Sequence, residues 1–293
     1  MGMSKPMSKP MSKQQSSWNE HYRYKVEKSR IKQKLETLEN QTTPKKIYHE
    51  LLLKYSKGLT SQLEFGCGTA GCSYLIARKN PGMFSYLLDI SPEAINFAKR
   101  LFSEADLPFD AKVGNATRLP YEDDSIDIVH GNGVLEHIEN HEKAFSELAR
   151  VIRKGGKIIL SVPNKFRPDG SLLNKTMRHY EYTQKEFTIS ELKKLCESNG
   201  LRVVEVFGYG VFYITPSIFA RFFGGSDFLD KPNARHPINR QNGKRNAKKN
   251  PGFPLNVLFS FNSRYLRLHR FINETFLLPP SLSLMVGIVC EKE

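Results

Sequence analysis

The run Leu63-Glu64-Phe65-Gly66-Cys67-Gly68-Thr69-Ala70-Gly71-Cys72-Ser73 constrains this chain more than any other stretch. Ser61 to Phe65 is short and largely apolar, as a buried strand is, and Ser73 to Lys79 continues as a helix-compatible run. The glycines therefore fall where a strand hands over to a helix. Lacking a Cβ, Gly66 and Gly68 let a ligand approach the backbone, and the helix behind them offers unpaired N–H groups with partial positive charge. The spacing Gly66-x-Gly68-x-x-Gly71 fits NAD, FAD and other adenosyl ligands alike, so its context has to decide.

That context is an alternation of strand and helix signals. A helix is predicted over Pro44–Ser56, with Ile47, Leu51, Leu52 and Tyr55 at helical spacing, before the first strand at Ser61–Phe65. Strands follow at Met83–Asp89, Phe109–Val113, Ser125–His130, Lys157–Val162 and Leu201–Phe207. Between them, Ser91-Pro92-Glu93 starts a helix with a capping serine and a first-turn proline, a second helix covers Glu142–Ile152, and a third begins near Thr188 or Ser190. Such alternation predicts an α/β fold with a doubly wound parallel sheet. Asp89 closes the second strand about 20 residues after Gly66, where a carboxylate can take two ribose hydroxyls at once.

The glycine run, with Glu64 two residues before Gly66, resembles motif I of the class I S-adenosylmethionine (SAM)-dependent methyltransferases. This broad group includes the ubiquinone and menaquinone biosynthesis enzymes. The resemblance continues through Asp89, Gly114-Asn115-Ala116 with Leu119-Pro120-Tyr121, and Ile126-Asp127-Ile128-Val129. It extends to Val134-Leu135-Glu136-His137-Ile138 and Arg150-Val151-Ile152-Arg153-Lys154-Gly155-Gly156, covering roughly residues 45 to 165 in the family's order. It implies a Rossmann-like seven-stranded sheet whose last strand, expected at Leu284–Cys290, is antiparallel and follows a mostly helical insert. It also implies that SAM is held by Glu64, Gly66, Cys67, Gly68, Asp89, Ile90, Asn115, Ala116 and Gly131. Asn115 would meet the adenine with its amide oxygen, and the Gly131-Asn132-Gly133 turn the methionine part. In relatives an N-terminal aromatic segment closes over the cofactor. Trp18, Tyr22 and Tyr24 either do so or simply dock on the core, beside a helix predicted from about Tyr24 to Leu38.

Charge divides the chain into the same parts. The formal net charge is +14, with the excess in the first 60 residues and in Lys231–Asn250, while 61–230 is close to neutral. The expected organisation is a basic tail and helical arm at 1–43, a SAM-binding core at 44–207, an aromatic and basic acceptor cap at 208–283, and a final core strand at 284–293. The Met-Ser-Lys-Pro repeats of Met1–Lys13 are low complexity and take no part in fold reasoning. Cys67, Cys72, Cys196 and Cys290 form no C-x-x-C pair and no disulfide ladder, and the scattered histidines suggest no metal site, so a reducing cytoplasm is the expected compartment. The apolar stretch Phe276–Cys290, broken by Pro279 and Pro280, is too short for a membrane-spanning helix.

Methyl transfer from a sulfonium needs chiefly positioning, and a base only where the acceptor has a proton to lose. His137 at the site edge is the candidate base, with Tyr180, flanked by His179 and Tyr182, as a second candidate. The aromatic run Phe207–Phe223 favours a small or lipid-like hydrophobic acceptor, O-methylated ahead of C or N, and the basic run suits an anionic membrane surface. RNA methylation is the alternative, but Lys231–Asn250 has no aromatic residue for base stacking. A non-catalytic SAM-binding subunit is a further alternative. An NAD-dependent oxidoreductase would explain the glycines and Asp89 but not the Leu119–Val129 and Arg150–Gly156 blocks.

Overall fold

The computed structural model describes residues 11–28, 46–166, 185–209, 283 and 285–293. The chain divides into two units, Met1–Gly210 with Leu278–Glu293, and Val211–Leu277. The second unit falls outside the described residues, as do the expected helical insert, the basic run and Tyr180. Elements in chain order are α1 (Lys13–Lys28), α2 (Lys46–Ser56), β1 (Ser61–Phe65), α3 (Gly71–Lys79), β2 (Phe84–Asp89), α4 (Pro92–Glu104) and β3 (Phe109–Val113). They continue with β4 (Ile126–Asn132), a 3₁₀ turn (Leu135–His137), α5 (His141–Val151), β5 (Ile152–Pro163), α6 (Ile189–Glu197), β6 (Leu201–Tyr209) and β7 (Met285–Lys292).

The seven strands form one sheet in the order β3-β2-β1-β4-β5-β7-β6. β1 to β5 are parallel, and β7 runs antiparallel to both β5 and β6. The central strands β4 and β5 are buried on successive residues because both sheet faces are covered there, whereas the edge strands β3 and β6 are partly exposed. Leu63, Phe65, Val129, Ile158 and Leu160 pack on one side with Phe145 and Leu148 of α5 and Leu192 of α6. Leu87, Ile128, Ile159 and Val289 face the other side, against Tyr48 of α2, Ile76 of α3 and Phe97 of α4. The helix starts follow their caps: the Ser91 hydroxyl accepts from Ala94 N, and Thr188 and Glu191 complete a reciprocal box at the start of α6.

Several boundaries differ from the sequence expectations. The N-terminal helix begins at Lys13, well before the expected Tyr24, because Gln14, Gln15, Trp18 and Asn19 find partners on the core, and residues 29–38 of the expected helix lie outside the described residues. Gly131 and Asn132, expected in a turn, continue β4 and pair with Leu160 and Ser161 of β5. β5 starts at Ile152, so the Arg153–Gly156 run belongs to the strand rather than to a loop before it.

The blocks downstream of motif I form buried electrostatic knots. The Asp127 carboxylate accepts from Thr60 N (2.7 Å), Thr60 Oγ1 (2.9 Å) and Ser61 N (2.9 Å), and pairs with Arg153. Burial pushes its carboxyl up, but these donors outweigh that and bring it down to about 2. Arg150 bonds Glu147 through Nη2 (2.8 Å) and the carbonyls of Leu119 (3.1 Å) and Tyr121 (2.8 Å), while Glu147 also accepts from Leu119 N (2.9 Å). The Arg150 guanidinium, against partial burial, holds the Glu147 carboxyl at about 2. Both groups sit below their unfolded values of about 3.9 and about 4.3. Their contribution to stability is therefore complete above about pH 4.3 and lost as the pH falls toward 2. Asp127→Asn with Glu147→Gln is expected to lower stability at pH 7 and to flatten its acid dependence between pH 5 and 2. Parallel denaturant titrations of variant and wild type check both effects.

Candidate active site

β1, β2 and β4 end at Phe65, Asp89 and Asn132, at the carboxyl edge of the parallel strands, where open α/β sheets bind ligands. A cleft of about 330 Å³ opens there, within the range of about 300–1,000 Å³ typical of small-ligand sites. One wall is Gly66 with Leu88, Asp89 and Ile90; a second is Gly114–Thr117; a third is Asn132–Val134 with His137–Asn140. The fourth is α1, through Gln14, Trp18 and Tyr22.

The glycine turn can take this shape only with glycine. Gly66 and Gly68 have φ of 59° and 53°, in the left-handed region. A Cβ on Gly66 would lie 2.4 Å from Val134 Cγ1, and one on Gly68 2.5 Å from Tyr22 Oη. The turn leads into α3 at Ala70, which offers no side-chain cap, and Glu64 supplies the missing acceptor: its Oε2 accepts from Ser73 N at 3.0 Å. Asp89 ties the turn to the next one. Its Oδ2 accepts from Gly68 N and its Oδ1 from Ser91 N, each at 2.8 Å. Burial raises the Asp89 carboxyl, and these N–H bonds oppose that rise.

α1 is fastened over the cleft by polar bonds. Gln14 Nε2 donates to the His137 carbonyl (2.6 Å) and Gln15 Nε2 to the Ile90 carbonyl (2.9 Å), while buried Asn19 accepts from Ser91 Oγ (3.1 Å) and Glu93 N (3.0 Å). The Trp18 ring meets His137 edge-on at 5.1 Å and stacks with Tyr22 at 6.1 Å. Trp18 and Tyr22 thus both dock on the core and line the cleft, while the Tyr24 side chain lies outside the described residues.

Of the residues expected to hold SAM, Gly66, Asp89, Ile90, Asn115 and Ala116 line the cleft, and Gly68 contributes by carrying Tyr22. Glu64, Cys67 and Gly131 lie behind the wall. Glu64 caps α3, Cys67 is buried between the glycines, and Gly131 is small because a Cβ there would lie 2.4 Å from Phe65 Cε1. Asn115 faces the cleft, but its amide oxygen already accepts from Thr117 N (2.9 Å) and Thr117 Oγ1 (3.0 Å). Its NH₂, not its oxygen, is left to meet an adenine. His137 lines the cleft beside Glu136, with Nε2 3.9 Å from Glu136 Oε1.

Sequence reasoning passed over Gln14, which shares a helix face with Trp18 and Tyr22 at spacings of four. It also passed over a buried knot in which Asn132 Nδ2 donates to Tyr209 Oη (2.6 Å) and Ser161 Oγ lies 2.9 Å from the same oxygen. This knot joins the ends of β4, β5 and β6, and of its members Asn132 lines the cleft.

Residues 63–160 match the family described as "Methyltransferase domain". Over those residues the chain carries a methyltransferase domain. The chain is 33% identical to the ajmaline N-methyltransferase of Rauvolfia serpentina over 104 residues, 34% of this chain and 35% of that protein. It is 32% identical to the malonyl-[acyl-carrier protein] O-methyltransferase of Methylococcus capsulatus over 99 residues, 34% of this chain and 36% of that protein. Among solved structures, a chain from the complex between a Haloferax volcanii methyltransferase and its Trm112 activator aligns with a TM-score of 0.58. That alignment has 14% identity and covers 96% of this chain and 98% of the other, a likeness of fold alone. The matches span between 30% and 53% of the length of the curated relatives.

The donor set fits SAM, the cofactor of this domain family. Asp89 and Asn115–Thr117 line the cleft, and the left-handed glycine turn packs closely under Val134 and Tyr22 without a side chain of its own. Asp89→Ala removes a carboxylate that accepts charge-assisted bonds, and is expected to weaken SAM binding about tenfold to a hundredfold. Calorimetric titration checks this, and unchanged affinity would take Asp89 out of the site.

Proposed function

We propose that this chain transfers a methyl group from SAM to a small or lipid-like hydrophobic acceptor, with oxygen the favoured accepting atom. One observation carries the reading: among the described residues no Lys or Arg lines the cleft, while the acidic residues Asp89 and Glu139 do. In a chain of net charge +14 this is a local reversal of sign. It favours a cofactor with a cationic centre and disfavours the pyrophosphate of a dinucleotide or the phosphates of an RNA acceptor. When bound, SAM supplies a methyl carbon already activated by its sulfonium. The chain's own task is to hold and orient. The Asp89 carboxylate and the Asn115 amide fix one end, and the glycine turn and the Asn132–Val134 wall confine the other.

For an acceptor hydroxyl, a proton has to leave as the oxygen–carbon bond forms. We assign its uptake to His137, which lines the cleft with Glu136 Oε1 3.9 Å from its Nε2 as a partner for the protonated ring. Tyr180 is the second candidate for that task. The hydrophobic character of the acceptor rests on the aromatic sequence of Phe207–Phe223, and contact with an anionic membrane on the basic run of Lys231–Asn250. No helix among the described residues is long and apolar enough to cross a membrane.

Trp18 is the only tryptophan of the chain and it lines the cleft, so ligand binding has a built-in reporter. Titration with SAM is expected to change Trp18 emission saturably, and titration with NAD to leave it unchanged; the reverse result would sink the reading. With a panel of phenolic and lipid acceptors, His137→Ala is expected to lower turnover about a hundredfold at saturating SAM. Equal rates would remove His137 from proton transfer.

A further inference from the structure

We infer that His130, fully buried and no part of the cleft lining, is a positioning residue for the cofactor site: its Nε2–H bond to Gln62 helps pin the first turn of α3, and with it the glycine turn that leads into α3. The inference rests on the SAM reading above and adds to it a residue that acts on the cofactor without touching it.

The pinned residue is Ser73, in the first turn of α3, which three buried side chains hold by three different atoms. Its N–H donates to Glu64 Oε2 (3.0 Å), its carbonyl accepts from Gln62 Nε2 (2.9 Å), and its Oγ lies 3.4 Å from His130 Nε2. Gln62 and Glu64 belong to β1, and His130 sits beside Glu64 on β4. Because Ala70 offers no side-chain cap, the far end of the glycine turn is fixed from the strands beneath it. Asp89 holds the turn at Gly68 N, and this cluster holds it where α3 begins.

The bonds around Gln62 decide which imidazole nitrogen carries the proton. A backbone carbonyl can only accept, so the Gln62 NH₂ must face Ser73, and it also donates to Ser85 Oγ at 2.8 Å. The amide oxygen therefore faces His130 Nε2 at 3.1 Å, and that nitrogen must be N–H. In this tautomer Nδ1 is a bare acceptor, buried and without a hydrogen-bond partner among the described residues. Burial, with His49 nearby, holds the imidazole down to about 3, so the ring is neutral at pH 7. An apolar side chain, like those of Ile126, Ile128 and Val129 on the same strand, would avoid the orphaned nitrogen. What it could not supply is a donor for Gln62 Oε1. Without one, a buried amide oxygen is left unsatisfied and the hold on Ser73 is loosened.

The test is calorimetric titration of the full chain with SAM and with 5′-methylthioadenosine, which lacks the amino-acid end of SAM, for wild type, His130→Leu, His130→Gln and His130→Asn. His130→Leu is expected to weaken SAM about tenfold and the truncated ligand clearly less, because the glycine turn confines the end that this ligand lacks. His130→Gln is expected to restore most of the affinity, since its Nε2 can stand where the imidazole Nε2 does. His130→Asn, whose amide reaches only as far as Nδ1, is expected not to. Equal affinities in all three variants, or equal weakening of both ligands, would overturn the inference while leaving SAM binding by the wild type intact. Nitrogen-15 spectra of histidine-labelled wild type at pH 7 give a second reading that needs no variant to bind. They are expected to show the His130 ring with a protonated Nε2 and a bare Nδ1, and a proton on Nδ1 instead would overturn the inference. A wild type that binds neither ligand would overturn the SAM reading itself, and the inference with it.

Discussion

The organising interaction is the Asp89 carboxylate shared between two backbone N–H groups, one on each of two neighbouring turns. Gly68 N belongs to the turn after β1 and Ser91 N to the turn after β2, and each lies 2.8 Å from one carboxylate oxygen. Both turns are therefore set relative to one another by a single buried side chain. A buried charge with donors on both oxygens is tolerated, whereas the same charge with one donor removed is costly. The geometry of the cleft floor follows from this link, because α3 and α4 start from those turns. Glu64 does the same work one layer deeper, capping the N-terminus of α3 where Ala70 offers nothing.

The sequence blocks shared with the methyltransferase family divide into two physical jobs. The glycine turn, Asp89 and Asn115–Ala116 border the cleft. Away from it, Glu147 and Arg150 secure the connection between β3 and β4, and Asp127 and Arg153 join the start of β4 to the residues entering β1 and to β5. Lys292 extends that second group, with its ammonium bonded to the carbonyls of Ala149 (2.9 Å) and Ile152 (3.0 Å) and 2.7 Å from Asp124. A motif can thus mark a family because it fixes a loop, without touching ligand.

Much of the sheet was legible because its central strands are covered on both faces and read as apolar runs; β1 and the partly exposed edge strand β3 have the predicted limits. The early start of the N-terminal helix was missed for a physical reason. Residues 11–19 are polar and follow a repetitive segment, so their helicity comes from tertiary partners and not from an apolar stripe. Within the site, the residue types were readable but their hydrogen-bond assignments were not. Nothing in Asn115-Ala116-Thr117 as a string announces that the amide oxygen is spent on Thr117. Nor does sequence reveal that Gly131 is small to admit Phe65, a contact between strands far apart in the chain. The knot of Asn132, Ser161 and Tyr209 draws on three strands and leaves no local signature at all.

The position of β7 has a bearing on how the molecule is made. β6 reaches the rest of the sheet only through β7, which lies between it and β5. During synthesis, β5 and β6 leave the ribosome with their facing edges unsatisfied and wait until residues 285–292 emerge. Ile158 then meets Cys290 across more than a hundred residues of chain. Pairings of such long range are slow to form and expose strand edges in the meantime. The nascent chain is therefore most exposed to aggregation in the interval between these two parts of its own translation.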